Sequence, residues 1–184
     1  WRPGHPKEIA GLDAFDQLSA DSRKWLANGW ADYFAPQLYW PIHSTGQSYP
    51  LLLKWWAEQN SQGRHLWPGI NAAKVGAKTN NWKPGEIVAQ LRLTRRQPGA
   101  TGHILWNMAG LMAKTGGLGS TLAKDVFAQP ALVPASPWLD RQPPGKPSLN
   151  IQQNASRNEL KLSWQATGSE RVWLWLLQFR SGSQ

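Results

Sequence analysis

Residues 31–41, A-D-Y-F-A-P-Q-L-Y-W-P, restrict most what this chain can form. Apolar or aromatic side chains fill nearly every position, the pattern of a strand buried on both faces. Pro36 interrupts the run, and a proline donates no ladder hydrogen bond, so it is poorly placed inside a central strand. The strand is therefore expected over residues 32–35, with Gln37, Tyr39 and Trp40 as a rim just past its carboxyl end. In α/β folds with parallel strands, ligands bind at that end. An amide beside two large rings at such a rim suits a sugar. The amide hydrogen-bonds hydroxyls, and a flat ring packs on the apolar face of a pyranose.

The rest of the first part alternates helical and extended patterns. Asp13 reads as an N-cap with Asp16 favouring the helix dipole. Phe15, Leu18, Trp25 and Leu26 at near-helical spacing predict one helix closed by Gly29. A second helix begins at Ser48, with Pro50 in its first turn where a missing N–H costs nothing, and Gly63 ends it. Its adjacent Trp55 and Trp56 lie about 100° apart, so one faces the core and the other a neighbour. Residues 65–70, H-L-W-P-G-I, form a second short strand leading to Asn71. Pro84 starts a third helix with Ile87, Val88, Leu91 and Leu93 toward the core and Pro98-Gly99 as its stop. Residues 102–108, G-H-I-L-W-N-M, form the third strand, and beyond a glycine-rich turn Ser120 caps a last helix through Phe127.

One helix followed by three strand–helix units predicts parallel strands joined by helical crossovers. So few units cannot close a (β/α)8 barrel, which takes about 250 residues. The choice lies between a small open sheet and the tail end of a barrel. Residues 129–147 then carry Pro130, Pro134, Pro137, Pro143, Pro144 and Pro147, the composition of an extended linker. Residues 149–151, 159–164 and 171–179 read as three strands, too few for a sandwich of about seven.

Bulk composition narrows the function. The formal charge of +9 comes from 20 Lys+Arg against 11 Asp+Glu, which invites a nucleic-acid reading. The basic residues are scattered, however, and Arg92, Arg95 and Arg96 make the one tight cluster. A polyanionic or cell-wall glycan matches that charge equally well. The 13 Trp exceed what a core of this size calls for and point to a binding surface. No cysteine is present, so there is neither a disulfide framework nor a Cys metal site. The apolar run at 172–177 is far short of the roughly 20 residues that span a membrane. His5, His43, His65 and His103 lack metal-ligand spacing, and residues 116–119 lack the Lys-Ser/Thr of a phosphate loop, so no metal or cofactor is expected.

Four motifs in this order resemble the glycosyl-hydrolase-like 10 family: A-D-Y-F-A-P-Q-L-Y-W, S-Y-P-L-L-L-K-W-W-A-E-Q, L-W-P-G-I-N and G-H-I-L-W-N-M. The resemblance implies a partial (β/α)8 TIM-type barrel of about the last three βα units over residues 1–128. A Pro-rich linker at 129–147 and a truncated fibronectin type III-like β module at 148–184 would follow. The opening Trp1-Arg2-Pro3-Gly4 is similar to the family's loop after the fifth strand. The family's candidate catalytic carboxylates, in an acidic motif after the fourth strand, would then lie upstream. The resemblance also implies a secreted or envelope-associated bacterial protein, although no signal segment appears in this chain.

Glycoside hydrolysis uses two carboxyl groups, roughly 5 Å apart for retention or roughly 6.5–9.5 Å for inversion. No such pair is legible here. Asp32 stands at the start of its strand, Glu58 and Glu86 on outer helices, and Asp13, Asp16 and Asp21 on a helix exterior. What remains is one wall of a cleft: Gln37, Tyr39 and Trp40 after the first strand, Trp67 and Asn71 from the second, and Trp106 and Asn107 from the third. Trp67 and Trp106, lying within strands, either stack on a sugar or fill the barrel interior. Arg2 is a candidate contact to a glycan carboxylate or hydroxyl. The expected partner is a polysaccharide, and the broken barrel edge invites self-association. The alternatives are a non-catalytic carbohydrate binder and a basic nucleic-acid binder.

Overall fold

The computed structural model describes residues 1–79, 81–112, 116–172 and 174–178. The chain divides into two compact units, Trp1–Ser136 and Pro137–Gln184. The first is a mixed α/β unit built on short parallel strands. β1 (Tyr33–Phe34) pairs in parallel with β2 (His65–Leu66), and β3 (Gly69–Asn71) with β4 (Ile104–Trp106). The expected second strand is thus divided at Trp67-Pro68, because Pro68 has no N–H for the ladder.

Pairing nevertheless continues past both prolines. Trp67 N–H donates to Phe34 C=O, Gly69 N–H to Pro36 C=O, and Leu38 N–H to Gly69 C=O. On the other side Thr101 N–H donates to Leu66 C=O and Ile104 N–H to Pro68 C=O. Residues 65–71 therefore form the middle of a three-segment array. Pro36 ends the regular strand early without ending the ladder, so Gln37 bridges Gly69 rather than lying beyond the pairing. Between the Leu66–Ala100 bridge and the Gly69–Ile104 pair the β4 side carries one extra residue, a bulge.

Side-chain alternation sorts this array into two faces. Leu38, Leu66 and Ile70 are buried against Leu52, Leu53 and Trp56 of α3 (Tyr49–Gln59) and Ile87, Val88 and Leu91 of α4 (Pro84–Arg96). Residues of the other parity, including Tyr33, Gln37, Ile104 and Trp106, stand on an open face. α3 starts after Ser48 with Pro50 in its first turn; Trp56 is buried, while Trp55 stacks on Trp1 with ring centroids 6.0 Å apart. α4 buries Gln90 and Thr94 as well as its expected apolar stripe. The Thr94 hydroxyl donates to Gln90 C=O, so the Tyr49 hydroxyl donates to Thr94 across the α3–α4 contact at 2.7 Å. Burial drives the Tyr49 phenol pKa far up, which keeps it a donor.

Three local expectations are corrected. The single helix after Asp13 is two, α1 (Ala14–Leu18) and α2 (Ser22–Ala27), because Ser19 turns left-handed and Asp21 caps a new start by accepting from Lys24 N–H. The second helix ends as expected at Gly29, which takes positive φ while Gly29 and Trp30 N–H groups close a Schellman pair on Leu26 and Trp25. The third strand stops at Trp106, since the Asn107 carboxamide accepts from Gly110 N–H and starts α5 (Met108–Met112). α6 (Leu118–Lys124) begins at Gly117, with Ser120 inside it.

The second unit contains an antiparallel hairpin of β5 (Ser148–Asn154) and β6 (Glu159–Gln165). Leu149, Ile151, Leu160 and Trp164 share one face and all are exposed. The described residues 171, 172 and 174–178 form no strand, against expectation, while Trp173 and Phe179 lie outside the described residues. Among the described residues no helix is long and apolar enough to cross a membrane.

Three substitutions check this packing by chemical denaturation. Thr94→Val leaves the buried Tyr49 hydroxyl unpartnered and is expected to cost about 1–3 kcal/mol, with Tyr49→Phe in the same chain recovering part of that loss. Gly69→Val places a Cβ 3.2 Å from the Tyr39 ring. It should destabilise by about 1–3 kcal/mol. Gly85→Ala in α4 meets open space. It should stabilise by about 0.4–1 kcal/mol.

Candidate functional site

The carboxyl ends of the parallel segments bring the predicted residues into two groups. Gln37 pairs in register with Gly69, which places Tyr39, two residues on, level with Asn71; Asn71 in turn pairs with Trp106. The Tyr39 and Trp106 rings lie 6.4 Å apart between centroids. Gly69 is what lets Tyr39 lie close over the array, since any Cβ there would press on the ring. Partial burial raises the Tyr39 phenol pKa, so it stays protonated and able to donate. Trp106 is 54 % exposed, with the Tyr39 ring beside it.

The second group surrounds a cavity of about 340 Å³ lined by Arg2, Gln37, Trp40, Gln47, Trp1 and Trp56 among others. That volume is at the small end for a ligand pocket. Its wall mixes rings with amides, the composition that a saccharide needs on its apolar and hydroxylated sides. Arg2 is held in place: its Nε donates to Asp13 at 3.1 Å, and its guanidinium lies 4.8 Å from the Phe15 ring centroid. The Asp16 N–H, above all, holds the Asp13 carboxyl below the usual carboxylate range against the opposing effect of desolvation, and Arg2 adds to the lowering.

Trp67 sits elsewhere. It stacks on Tyr33 at 4.8 Å and on His65 at 5.1 Å, and its Nε1–H donates to Thr101 Oγ1 at 2.9 Å. This group marks the start of the strands, not their carboxyl ends. His65 is buried there, with Thr101 and Ser136 on its two ring nitrogens. His103 stacks on Phe127, and burial first, then Arg95, lowers its pKa. Asn107 spends its carboxamide oxygen on Gly110 N–H.

Glu86, which sequence reasoning assigned to an outer helix, comes to the rim together with Gln90. Glu86 Oε1 accepts from Ile42 N–H at 2.8 Å and from Gln90 Nε2 at 2.8 Å, and Gln90 Nε2 also donates to Trp40 C=O at 3.1 Å. A carboxylate in a helix's first turn with an amide four residues on, on the core side, was the available signal. Asp13, Asp21 and Glu86, the carboxylates hydrogen-bonded to residues of these groups, each accept from a backbone N–H as well, and Asp16 lies 4.0 Å from Arg2. Glu58 pairs with Lys54 on exposed α3 surface. Among the described residues no cluster of three or more His, Asp or Glu could hold a metal ion.

Two members of the basic cluster are likewise engaged. Arg92 reaches both Asp125 oxygens at 2.8 Å, while Arg95 donates to Val126 C=O and lies over Phe127. These guanidiniums brace α4 against the segment after α6 instead of presenting a stripe to phosphates.

Comparison with known proteins agrees with the motifs. The family profile described as Glycosyl hydrolase-like 10 matches residues 6–84. The chain is 34% identical over 160 residues to the glycosyl hydrolase YngK of Bacillus subtilis, covering 83% of this chain and 31% of YngK. It is 36% identical over 107 residues to the glycosyl hydrolase DigH of Escherichia coli K12, covering 54% of this chain and 24% of DigH. The chain therefore spans less than a third of the length of these curated relatives. The segment that carries the strand and the rim, up to the first residue of α4, thus matches the glycosyl hydrolase-like 10 family.

Proposed function

We propose that this chain supplies one wall of the glycan-binding cleft of a glycoside hydrolase acting on a bacterial envelope polysaccharide, above all peptidoglycan glycan. In this reading residues 1–128 are the C-terminal part of a (β/α)8 barrel. Residues 129–147 are a linker, and residues 148–184 begin a fibronectin type III-like module. One observation carries the proposal: rings and amides gather at the carboxyl ends of parallel segments, where Tyr39, Asn71 and Trp106 are level and Gln37 and Trp40 line an adjoining cavity. Stacking of the indoles on pyranose faces and hydrogen bonds from the carboxamides would fix the sugar, and Arg2 would meet an anionic or hydroxyl substituent at the cavity mouth.

The chemistry would come from elsewhere in the whole protein. One carboxylic acid protonates the glycosidic oxygen while a second carboxylate attacks the anomeric carbon or activates water. The commitment of Asp13 and Glu86 to backbone donors supports placing that pair in the length of the relatives that this chain does not span. The same commitment also favours a second reading, a carbohydrate binder without catalysis. The relatives are bacterial, and an envelope or secreted location is part of this proposal.

Incubated with soluble peptidoglycan glycan strands, the 184-residue chain is expected to bind them and to release no reducing ends. Trp40→Ala should weaken binding by about tenfold, the effect of removing one aromatic anchor. Reducing-end release by this chain alone would overturn the division of labour proposed here. A full-length protein that binds but never cleaves would decide for the second reading.

A further inference from the structure

Trp40 is the rim residue with least to hold its ring. It is 37 % exposed and makes no ring–ring contact among the described residues. It is followed by Pro41 in a stretch with no regular structure up to α3. The aim of its indole therefore depends on how its backbone is anchored.

That anchor is a pair of side chains one turn apart on α4. Gln90 is fully buried, and its Nε2 supplies both protons it has: one to Trp40 C=O at 3.1 Å and one to Glu86 Oε1 at 2.8 Å. Its Oε1 has no partner among the described residues, so the amide cannot be reversed without losing both bonds. The same Glu86 oxygen accepts from Ile42 N–H at 2.8 Å. The backbone is thus gripped on both sides of Pro41, by a donor before it and an acceptor after it. An acceptor shared in this way polarises the amide and stiffens the unit beyond what either bond gives alone.

We propose that Glu86 and Gln90 are positioning residues for glycan recognition, a buried clamp on Trp40–Ile42 that aims the Trp40 indole at the rim. The proposal rests on the reading of Trp40 as a sugar platform, and it assigns Glu86 no part in proton transfer. The requirement at position 86 is an acceptor, not a charge. Glu86→Gln keeps a carbonyl oxygen for both donors, whereas Glu86→Leu and Gln90→Met keep volume and lose the bonds.

The test uses the 184-residue chain, soluble peptidoglycan glycan strands, and the indole N–H resonance of Trp40 assigned by its loss in Trp40→Phe. Gln90→Met and Glu86→Leu should each shift that resonance, leave the other indoles in place, and weaken glycan binding by roughly fivefold, about one neutral hydrogen bond. Glu86→Gln should bind within a factor of about two of the parent, as an acceptor requirement demands. Adding Gln90→Met to Trp40→Ala should weaken binding no further, because the clamp acts through that ring alone. An unmoved Trp40 resonance in Gln90→Met, or an additive loss in the double variant, overturns the clamp. If Trp40→Ala binds like the parent, the platform reading itself fails, and the clamp's role in recognition fails with it, whatever the resonance does.

Discussion

The middle segment, residues 65–71, is hydrogen-bonded along both of its sides, and that double pairing is the constraint from which the rest of the first unit follows. With both edges occupied, its side chains have two directions left. Leu66 and Ile70 go to the helices and are wholly buried; Trp67, Gly69 and Asn71 go to the opposite face. The neighbours on either side inherit the same division through their register. Prolines that would break an antiparallel centre are tolerated because each removes one donor while its carbonyl still accepts: Pro36 from Gly69 and Pro68 from Ile104.

The rim is a consequence of that division combined with small residues and buried polar groups. Tyr39 reaches its place beside Trp106 because Gly69 presents no Cβ beneath it. Trp40 reaches the cavity because α4 brings an amide and a carboxylate under its backbone. Burial of Gln90 and Thr94 inside α4 would be unfavourable without partners, and both are bonded to groups outside their own helix, to Trp40 and Tyr49. The polar content of α4 therefore ties the sheet, the rim loop and α3 to one helix.

Charge and aromatic content take on different meanings once contacts are known. The surplus of basic residues suggested a polyanion, yet Arg2, Arg92 and Arg95 are occupied by Asp13, Asp125 and Val126. The tryptophans divide between roles: Trp56 fills the core, Trp1 and Trp55 stack on one another, Trp67 packs with Tyr33 and His65, and Trp40 and Trp106 remain presented. In the second unit Leu149, Ile151 and Leu160 stay exposed on the hairpin face, and Trp164 on the same face meets the Trp175 ring edge-on at 6.3 Å.

Much was legible in the sequence. Helix periodicity and the first-turn prolines located α3 and α4, the division of labour between Trp55 and Trp56 followed from their angular spacing, and the alternation of elements predicted parallel pairing. The family motifs were readable because they concentrate rare residues, Trp and Pro, at fixed spacing. Other features had no local signature. The break at Ser19 and the helix after Asn107 depend on hydrogen bonds that compete with a regular continuation. The roles of Glu86 and Gln90 were decided by tertiary structure alone, since Ile42 lies 44 residues from Glu86 and Trp40 lies 50 from Gln90. Sequence determined which side chains could meet a sugar, because residue chemistry and strand parity are local; the fold decided which of them do so together, because a donor and its acceptor become neighbours only when the chain has closed on itself.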